Sequence, residues 1–477
     1  MKDRNGKPAS IGPSVRGPGA ILLVSCYELG HQPLGLASPL SFLERAGYAP
    51  ATLDISVEAL DEEKVGRARL VGVSVPMHTA LRLGVRVAER VREINPECYI
   101  CFYGLYALLN ADFLLSRVAD YAIGGEFEQP LVALVQALES GSAAEVEGVV
   151  MTGRPASPVL KRLSFPVPSR HQLPALEKYA RLERHGRHEL VGYVEASHGC
   201  LHFCLHCPIP PIYGGRFFVV PRDVVLQDIG RLVGLGARHI SFGDADFLNG
   251  PGHSLGIVRA MREEFPDLTF DFTAKIEHLL KRRAILPELG KLGCLFVVSA
   301  VESLSDTVLA NLEKGHTRVD IFEALIVVRE AGIALRPSFV SFTPWTTLHD
   351  YLDVLDFVES ESLIDHVDPV QYTIRLLIPP GSSLLERDAI RPYLGPLAQE
   401  SFSYQWTHPD ARMDELYRAV SGLVQEAAEG GEDPVISFQR VRATAYQLHG
   451  ERPIAPKSIQ APPIEDRSPR LTEPWFC

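Results

Sequence analysis

The chemistry of this chain concentrates in Ser197-His-Gly-Cys200-Leu-His-Phe-Cys204-Leu-His-Cys207-Pro208, where three cysteines fall within eight residues. Thiolates at Cys-x3-Cys-x2-Cys spacing share one short loop, so their sulfurs can converge on one face of a cubane iron-sulfur cluster. A fourth iron is then left without a protein ligand. Such an open iron can take the amine and carboxylate of a small molecule and pass it an electron, which a cluster closed by four cysteines does not readily do. Gly199 would let the chain turn sharply ahead of the first cysteine. The competing chemistry is a structural zinc site with His198, His202 or His206 as fourth tetrahedral ligand. The competing functional class is therefore a non-catalytic zinc or iron-sulfur scaffold.

A loop of this kind needs a rigid base, and short apolar runs alternating with helical spacing supply one in two stretches. In the first, Ala20–Ser25, Ala51–Ile55, Leu70–Ser74, Cys98–Tyr103 and Tyr121–Ile123 read as buried strands. Leu36–Gly47, Ala80–Ile94, Phe113–Val118 and Gln129–Leu138 read as the helices of a doubly wound, flavodoxin-like parallel sheet. In the second, strands are expected at Gly192–Ala196, His239–Phe242, Thr269–Thr273, Leu295–Ala300, Leu335–Ser341 and Val370–Leu376. Helices are expected between them at Pro221–Leu235, His253–Glu264, Arg282–Leu292, Val319–Ala331 and Thr347–Glu359. That series gives a partial (β/α)6 barrel, whose chemistry belongs at the C-terminal strand ends. The cysteine loop directly follows the first of these strands.

The expected divisions are a flexible tail at 1–19, the first α/β domain at 20–140, an extended proline-bearing linker at 141–189, the partial barrel at 190–390, and a mixed helical extension at 391–477 that is poorly packed from Pro453. A chain of 477 residues exceeds what one core usually holds. With 46% hydrophobic and 22% charged residues it has an ordinary globular balance. The formal charge of −12 argues against a nucleic acid partner. No apolar run approaches the roughly 20 residues of a membrane span, and the N-terminal text lacks a signal-type apolar segment. A cytoplasmic protein is expected, in which eight cysteines serve metal or catalytic roles more readily than disulfides.

From Val191 to about Leu384 the sequence resembles the radical S-adenosylmethionine superfamily. His206 stands where that family often has an aromatic residue whose backbone meets the adenine. Gly243-Asp244-Ala-Asp246 stands where a glycine-rich acidic segment binds the methionine amine, and either aspartate could serve. Ser299-Ala-Val-Glu302 and the segment Leu309–Thr317 resemble the part in which a Ser or Glu holds the ribose or the methionine carboxylate. Lys275 with Glu277, and Arg336 with Ser338, are further polar candidates. The resemblance implies a [4Fe-4S] cluster on Cys200, Cys204 and Cys207, S-adenosylmethionine cleaved reductively to a 5′-deoxyadenosyl radical, a small-molecule substrate, and an electron donor such as flavodoxin or ferredoxin. It leaves the catalytic residues unassigned.

Gln32-Pro-Leu-Gly-Leu-Ala37 leading into Phe42–Tyr48 and Asp54, with the Asn95-Pro96 turn and Gly124-Gly-Glu126, resembles the cobalamin-binding domain fused to many such enzymes. Ser74, Gly104, Gly124 and Gly125 would form the corrin-facing edge beyond the strand ends. The resemblance implies cobalamin and methyl transfer to an unactivated carbon or to phosphorus; without cobalamin, cyclisation or ring contraction is open. The segment departs from the pattern in lacking Asp-x-His-x-x-Gly and in reading Tyr103-Gly104-Leu for the usual Gly-Gly. Methylthio transfer is disfavoured, because Cys26, Cys98 and Cys101 do not reproduce that family's cluster pattern. The ending Leu471-Thr-Glu-Pro-Trp-Phe-Cys477 resembles a subgroup with Cys-Cys-Ala-Glu-Pro or Cys-selenocysteine-Ala-Glu-Pro tails, which implies a redox role for Cys477.

Overall fold

Strands buried on both faces dominate the N-terminal half. A computed structural model describes residues 12–141, 146–450 and 463–473. Strands β1 (Ile21–Ser25), β2 (Ala51–Asp54), β3 (Leu70–Ser74), β4 (Tyr99–Tyr103) and β5 (Tyr121–Ile123) pair in parallel in the order β2-β1-β3-β4-β5. Parallel neighbours require crossovers, supplied by α1 (Leu34–Arg45), α2 (Glu62–Arg67), α3 (His78–Ile94), the short α4 (Leu105–Leu109) and α5 (Ala111–Arg117). Alternate residues face opposite layers: Leu22, Val24, Val71, Val73 and Phe102 pack on one side, and Ile21, Leu23, Leu70 and Tyr103 on the other. Each such fully buried side chain is worth about 1.5 to 3 kcal/mol.

After α6 (Glu128–Ser140) the chain adds β6 (Val149–Val150) antiparallel to β5, and Val159 bridges to Gly125. Much of 141–189 therefore packs on the first sheet. Residues 12–16 depart from the expected flexible tail. They form a 3-10 turn that buries Val15 and pairs Arg16 with Glu139.

The second sheet begins as a hairpin of β7 (Arg181–Arg184) and β8 (Arg187–Val194). A small separate hairpin of β9 (Ser197–Gly199) and β10 (Phe217–Val219) follows, with α7 (Ile209–Tyr213) between its strands. The parallel series then continues as α8 (Arg222–Gly234), β11 (His239–Phe242), α9 (Pro251–Glu264), β12 (Thr269–Thr273), α10 (Ile276–Lys281), α11 (Leu286–Lys291) and β13 (Cys294–Glu302). Helices α12 (Asp306–Asn311) and α13 (Arg318–Glu330) lead to β14 (Ala334–Phe339) and α14 (Leu348–Ser360). Strand order is β14-β13-β12-β11-β8-β7, a curled half-barrel of five parallel strands with one antiparallel flank. The helix expected over Arg282–Leu292 is divided, because Pro287 favours a fresh helical start at α11.

The sixth parallel strand expected at Val370–Leu376 is absent. Pro369–Tyr372 is a 3-10 turn, and only Arg375 bridges, to Phe342. The reason lies in Gln371, whose side-chain oxygen accepts the Phe339 N–H at 3.0 Å while its backbone carbonyl accepts from Ser341 Oγ at 2.7 Å. A buried side chain thus satisfies the edge that a strand would have covered.

The C-terminal part contributes a hairpin of β15 (Leu394–Ala398) and β16 (Ser403–Trp406), the helices α15 (Ala411–Gly430) and α16 (Pro434–His449), and β17 (Arg470–Leu471). Against expectation, residues 463–473 are packed. Arg467 pairs with Asp433, Ser468 N–H donates to Asp365, β17 pairs antiparallel with β7, and His31 lies 2.9 Å from Glu473. Cys477 lies outside the described residues.

Arg170 ties the two halves together. Its guanidinium donates twice to Asp228 at 2.8 Å, to Gln32 Oε1 at 2.9 Å and to the Tyr193 carbonyl at 2.8 Å.

Candidate active site

The cysteine loop hangs from the C-terminal end of β8 through the β9–β10 hairpin. Gly199 has φ +78°, and a Cβ there would meet the Arg216 carbonyl at 2.4 Å and the Tyr213 ring at 2.6 Å. The close approach lets Cys200 N–H donate to that same carbonyl at 3.1 Å. Farther along, Cys207 N–H donates to the Cys204 carbonyl and Leu205 N–H to the Leu312 carbonyl, both at 3.1 Å. Burial pushes the Cys200 thiol up, while the His202 backbone N–H and the Asn249 amide oppose the rise. Burial pushes Cys207 up to about 12 against the pull of the Ile209 N–H and Lys314, with Cys204 and Cys200 adding to the rise. Backbone donors, a nearby ammonium and three mutually close sulfurs form a donor set that fits a cluster bound as thiolates.

The three loop histidines are engaged elsewhere. His198 lies 3.1 Å from buried Glu126 and 3.2 Å from Glu195. His206 Nε2 lies 3.2 Å from Glu302, and its Nδ1 is buried with no protein partner. His202 Nε2 lies 3.4 Å from His278 Nδ1 and 3.6 Å from Asp246, while Lys275 Nζ donates to its Nδ1 at 3.2 Å. His198 and His202 are thus held by other side chains, while His206 Nδ1 has no partner among the described residues.

Glu302 closes β13 in a left-handed conformation, φ +64°, at a register shift against β14. Its carboxylate accepts from Lys314 Nζ at 2.9 Å. Burial alone would raise this carboxyl, but Lys314 and His206 hold it well below the usual carboxylate range. The same carboxylate keeps the buried Lys314 charged despite desolvation.

Both oxygens of Asp244 are used at the root of the loop, accepting from Ala196 N–H at 2.9 Å and Ser197 Oγ–H at 2.5 Å. Burial nevertheless pushes its carboxyl up to about 7. Gly243 is required by packing, since a Cβ would fall 1.9 Å from the Tyr193 hydroxyl. Asp246 accepts from Leu248 N–H at 2.9 Å and Lys275 N–H at 3.1 Å, with His278 Nδ1 at 3.0 Å. Lys275 Nζ also lies 3.4 Å from Glu277. The structure therefore brings Asp244, Asp246, Lys275, His206 and Glu302 around the cysteine loop. Ser299 instead donates to the Ala274 carbonyl at 2.7 Å inside the sheet. Arg336 pairs with Asp368 at 3.1 Å and donates to the Pro469 carbonyl at 3.3 Å.

Carboxyl ends of the first sheet face this region. Glu126 takes the Tyr213 hydroxyl at 3.0 Å in addition to His198, and Tyr106 of α4 is close enough to Cys207 to feel its charge. The four edge residues expected to meet a corrin pack tightly on the side a Cβ would occupy. A Cβ on Gly124 would meet Leu108 at 2.6 Å, one on Gly125 the Val159 carbonyl at 2.8 Å, and one on Gly104 the Val75 backbone at 3.3 Å; Ser74 Oγ would lie 2.4 Å from a Cβ on Gly35. His278 and Asn249 went unrecognised in the sequence, and Glu126 was named there only as part of the corrin-facing edge, not as a partner of the cysteine loop.

A half-barrel of parallel strands carries the three-cysteine loop at the end of its first strand. Residues 194–358 match the model of the radical SAM superfamily. The domain implies a [4Fe-4S] cluster and S-adenosylmethionine. Over 327 residues, 66% of this chain, it is 26% identical to the hopanoid C-3 methylase of Methylococcus capsulatus and spans 62% of that protein. It is 23% identical over 373 residues to an uncharacterised methyltransferase of Pyrococcus horikoshii, covering 74% of this chain and 78% of the relative. Among solved structures, the cobalamin-dependent S-adenosylmethionine radical enzyme OxsB with aqua-cobalamin bound superposes with a TM-score of 0.67 at 15% identity, over 91% of this chain and 73% of that one. The radical S-adenosylmethionine methyltransferase TsrM of Kitasatospora setae, with cobalamin and a [4Fe-4S] cluster, gives 0.58 at 18% identity over 72% and 73%. The fold is shared with both.

Proposed function

We propose that the chain is a radical enzyme that holds a [4Fe-4S] cluster on Cys200, Cys204 and Cys207, cleaves S-adenosylmethionine reductively, and methylates a small molecule. The observation that carries this reading is the cysteine loop itself. Cys200 and Cys204 are buried and Cys207 half-buried on one loop at a parallel-strand end, while His198 and His206 pair with carboxylates and His202 with His278 and Lys275. When bound, the cluster supplies one electron that breaks the S–C5′ bond of S-adenosylmethionine, giving methionine and a 5′-deoxyadenosyl radical. The chain's part is positioning and exclusion of water. Asp244 fixes the root of the loop, and Lys314 and Glu302 brace its far side. His206, anchored through Nε2, offers the unpaired Nδ1 to the adenine, and Lys275 is the ammonium available to the methionine carboxylate. Methylation is the reaction named by the two relatives above. Cobalamin is bound by the solved neighbours, whose fold this chain shares; Ser74, Gly104, Gly124 and Gly125 stand at the strand-end edge that would face it, and no step is derived through it.

Methylthio transfer, the activity named for other relatives, finds no second cluster site in Cys26, Cys98 and Cys101. Cys26 and Cys98 pack in one core and Cys101 on the opposite face, and burial pushes Cys26 up to about 12. Such reduced, buried thiols suit a reducing cytoplasm, and no described helix is long and apolar enough to cross a membrane. The exposed apolar tip of the loop, where Leu201 is 41% and Phe203 60% exposed, supports docking there of an electron donor of flavodoxin or ferredoxin type.

The test is anaerobic reconstitution with iron and sulfide, followed by incubation with reductant and S-adenosylmethionine carrying a trideuterated methyl group. Formation of 5′-deoxyadenosine and methionine supports the reading. A protein that assembles a cluster but releases neither product refutes it.

A further inference from the structure

Asn249 closes the 3-10 turn Phe247–Asn249 that follows Asp246, and both of its turn neighbours are essentially inaccessible. Its own side chain is 6% exposed. Leu201 N–H, one residue after the first cysteine, donates to Asn249 Oδ1 at 3.4 Å. Because that backbone group can only donate, it fixes the oxygen end of the carboxamide on the loop and leaves the NH2 end to find an acceptor. Nδ2 is buried and has none at bonding distance among the described residues, and the Leu201 contact sets the amide beside Cys200. A buried donor without a partner is costly to the fold. The acceptor that belongs here is sulfur carrying negative charge.

We infer that Asn249 donates from Nδ2 to the sulfur at the Cys200 corner of the cluster and thereby raises the cluster's reduction potential, an inference that rests on the cluster reading above. Hydrogen bonds to cluster sulfurs tune the potential, because they strengthen as the reduced state gathers negative charge. Two further donors near the sulfurs, the backbone N–H groups of His202 and Ile209, come with the fold. Asn249 is the side-chain donor among them and can be removed without recutting the loop. It acts as a positioning and tuning residue and touches neither substrate nor S-adenosylmethionine in this role.

Two variants separate the parts. Asn249→Asp keeps an oxygen for Leu201 N–H and deletes the NH2 group; Asn249→Leu deletes both. Each is reconstituted anaerobically beside the wild type, its iron and sulfide content measured, and its cluster titrated by electron paramagnetic resonance against a set potential. At the potential where the wild type is half reduced, the reduced-to-oxidised ratio is expected to fall about tenfold in both, a downward shift of about 59 mV for a one-electron couple. In wild type labelled with 15N-asparagine, a nitrogen hyperfine coupling to the reduced cluster is expected that Asn249→Asp lacks. Unchanged or raised potentials at full cluster content overturn the inference. So does failure of both variants to assemble a cluster, which makes Asn249 a prop of the loop; if only Asn249→Leu fails, the Asn249→Asp potential decides. A wild type that assembles no [4Fe-4S] cluster overturns the underlying reading instead.

Discussion

Asp244 offers a quantitative handle on the loop, because it pays electrostatically for holding Ala196 and Ser197. Its carboxyl ionises near 3.8 when unperturbed and near 7 in the folded protein, with desolvation the leading cause. Between those values folding takes up a proton, so its contribution to stability falls as pH rises through the window. Three or so pH units at about 1.4 kcal/mol each make a total cost of about 4 kcal/mol by pH 8. Roughly half of it, about 2 kcal/mol, develops between pH 5.5 and 8.5. In Asp244→Asn the amide oxygen still accepts from Ala196 N–H and the NH2 donates to Ser197 Oγ, whose hydroxyl rotates to receive it. The variant should therefore keep the loop, bind iron normally, and gain stability over wild type by about 2 kcal/mol more at pH 8.5 than at 5.5. Anaerobic urea unfolding of both proteins at three pH values reads this difference, and comparison against the isosteric variant cancels other titrating groups. A stability gap that stays flat with pH would refute the reasoning, as would an Asn variant that loses its iron.

Replacing Cys200, Cys204 or Cys207 by Ala should abolish cluster assembly and 5′-deoxyadenosine formation, measured by iron content and chromatography; product retained by any one variant removes that residue from the ligand set. Gly199→Ala must push its methyl group toward the Arg216 carbonyl, so iron incorporation should drop several-fold while circular dichroism stays unchanged. Arg170→Met leaves Asp228 buried and unpaired, which should cost about 3 to 5 kcal/mol and open residues 141–180 to limited proteolysis. Phe203→Ser should slow reduction of the cluster by a flavodoxin-type donor at least tenfold and leave reduction by dithionite unaltered; equal slowing of both would contradict docking at the loop tip.

Short runs between helical segments made most of the sheet strands legible, since stretches such as Leu70–Ser74 and His239–Phe242 are buried on both faces and too short for helices. That signal failed at Val370–Leu376, where the apolar spacing of a strand was present but Gln371 had already met the edge of β14 from the side. The cysteine loop was legible because thiolate geometry is local. What surrounds it was not. An acidic residue at a strand end announces a site, yet nothing in Gly243-Asp244 tells that both carboxylate oxygens turn back onto Ala196 and Ser197. The glycines at 104, 124 and 125 likewise read only as room for a ligand, whereas Leu108, Val159 and the Val75 backbone also approach them closely. A glycine marks a close approach; the sequence does not say by whom.

The pairing of β17 with β7 has a consequence for biosynthesis. Arg470 reaches Glu183 across 287 residues of chain, so the outer edge of β7 leaves the ribosome long before its cover is made. At about 5 to 20 residues per second, the interval is on the order of 15 to 60 s. Through that time a nascent β7–β8 hairpin presents unpaired backbone groups, the kind of edge that recruits foreign strands. Nascent chains arrested after α16 should accordingly hold a trigger-type chaperone longer than full-length chains do, and synthesis slowed between Gly450 and Arg470 should lower soluble yield more than the same delay placed upstream.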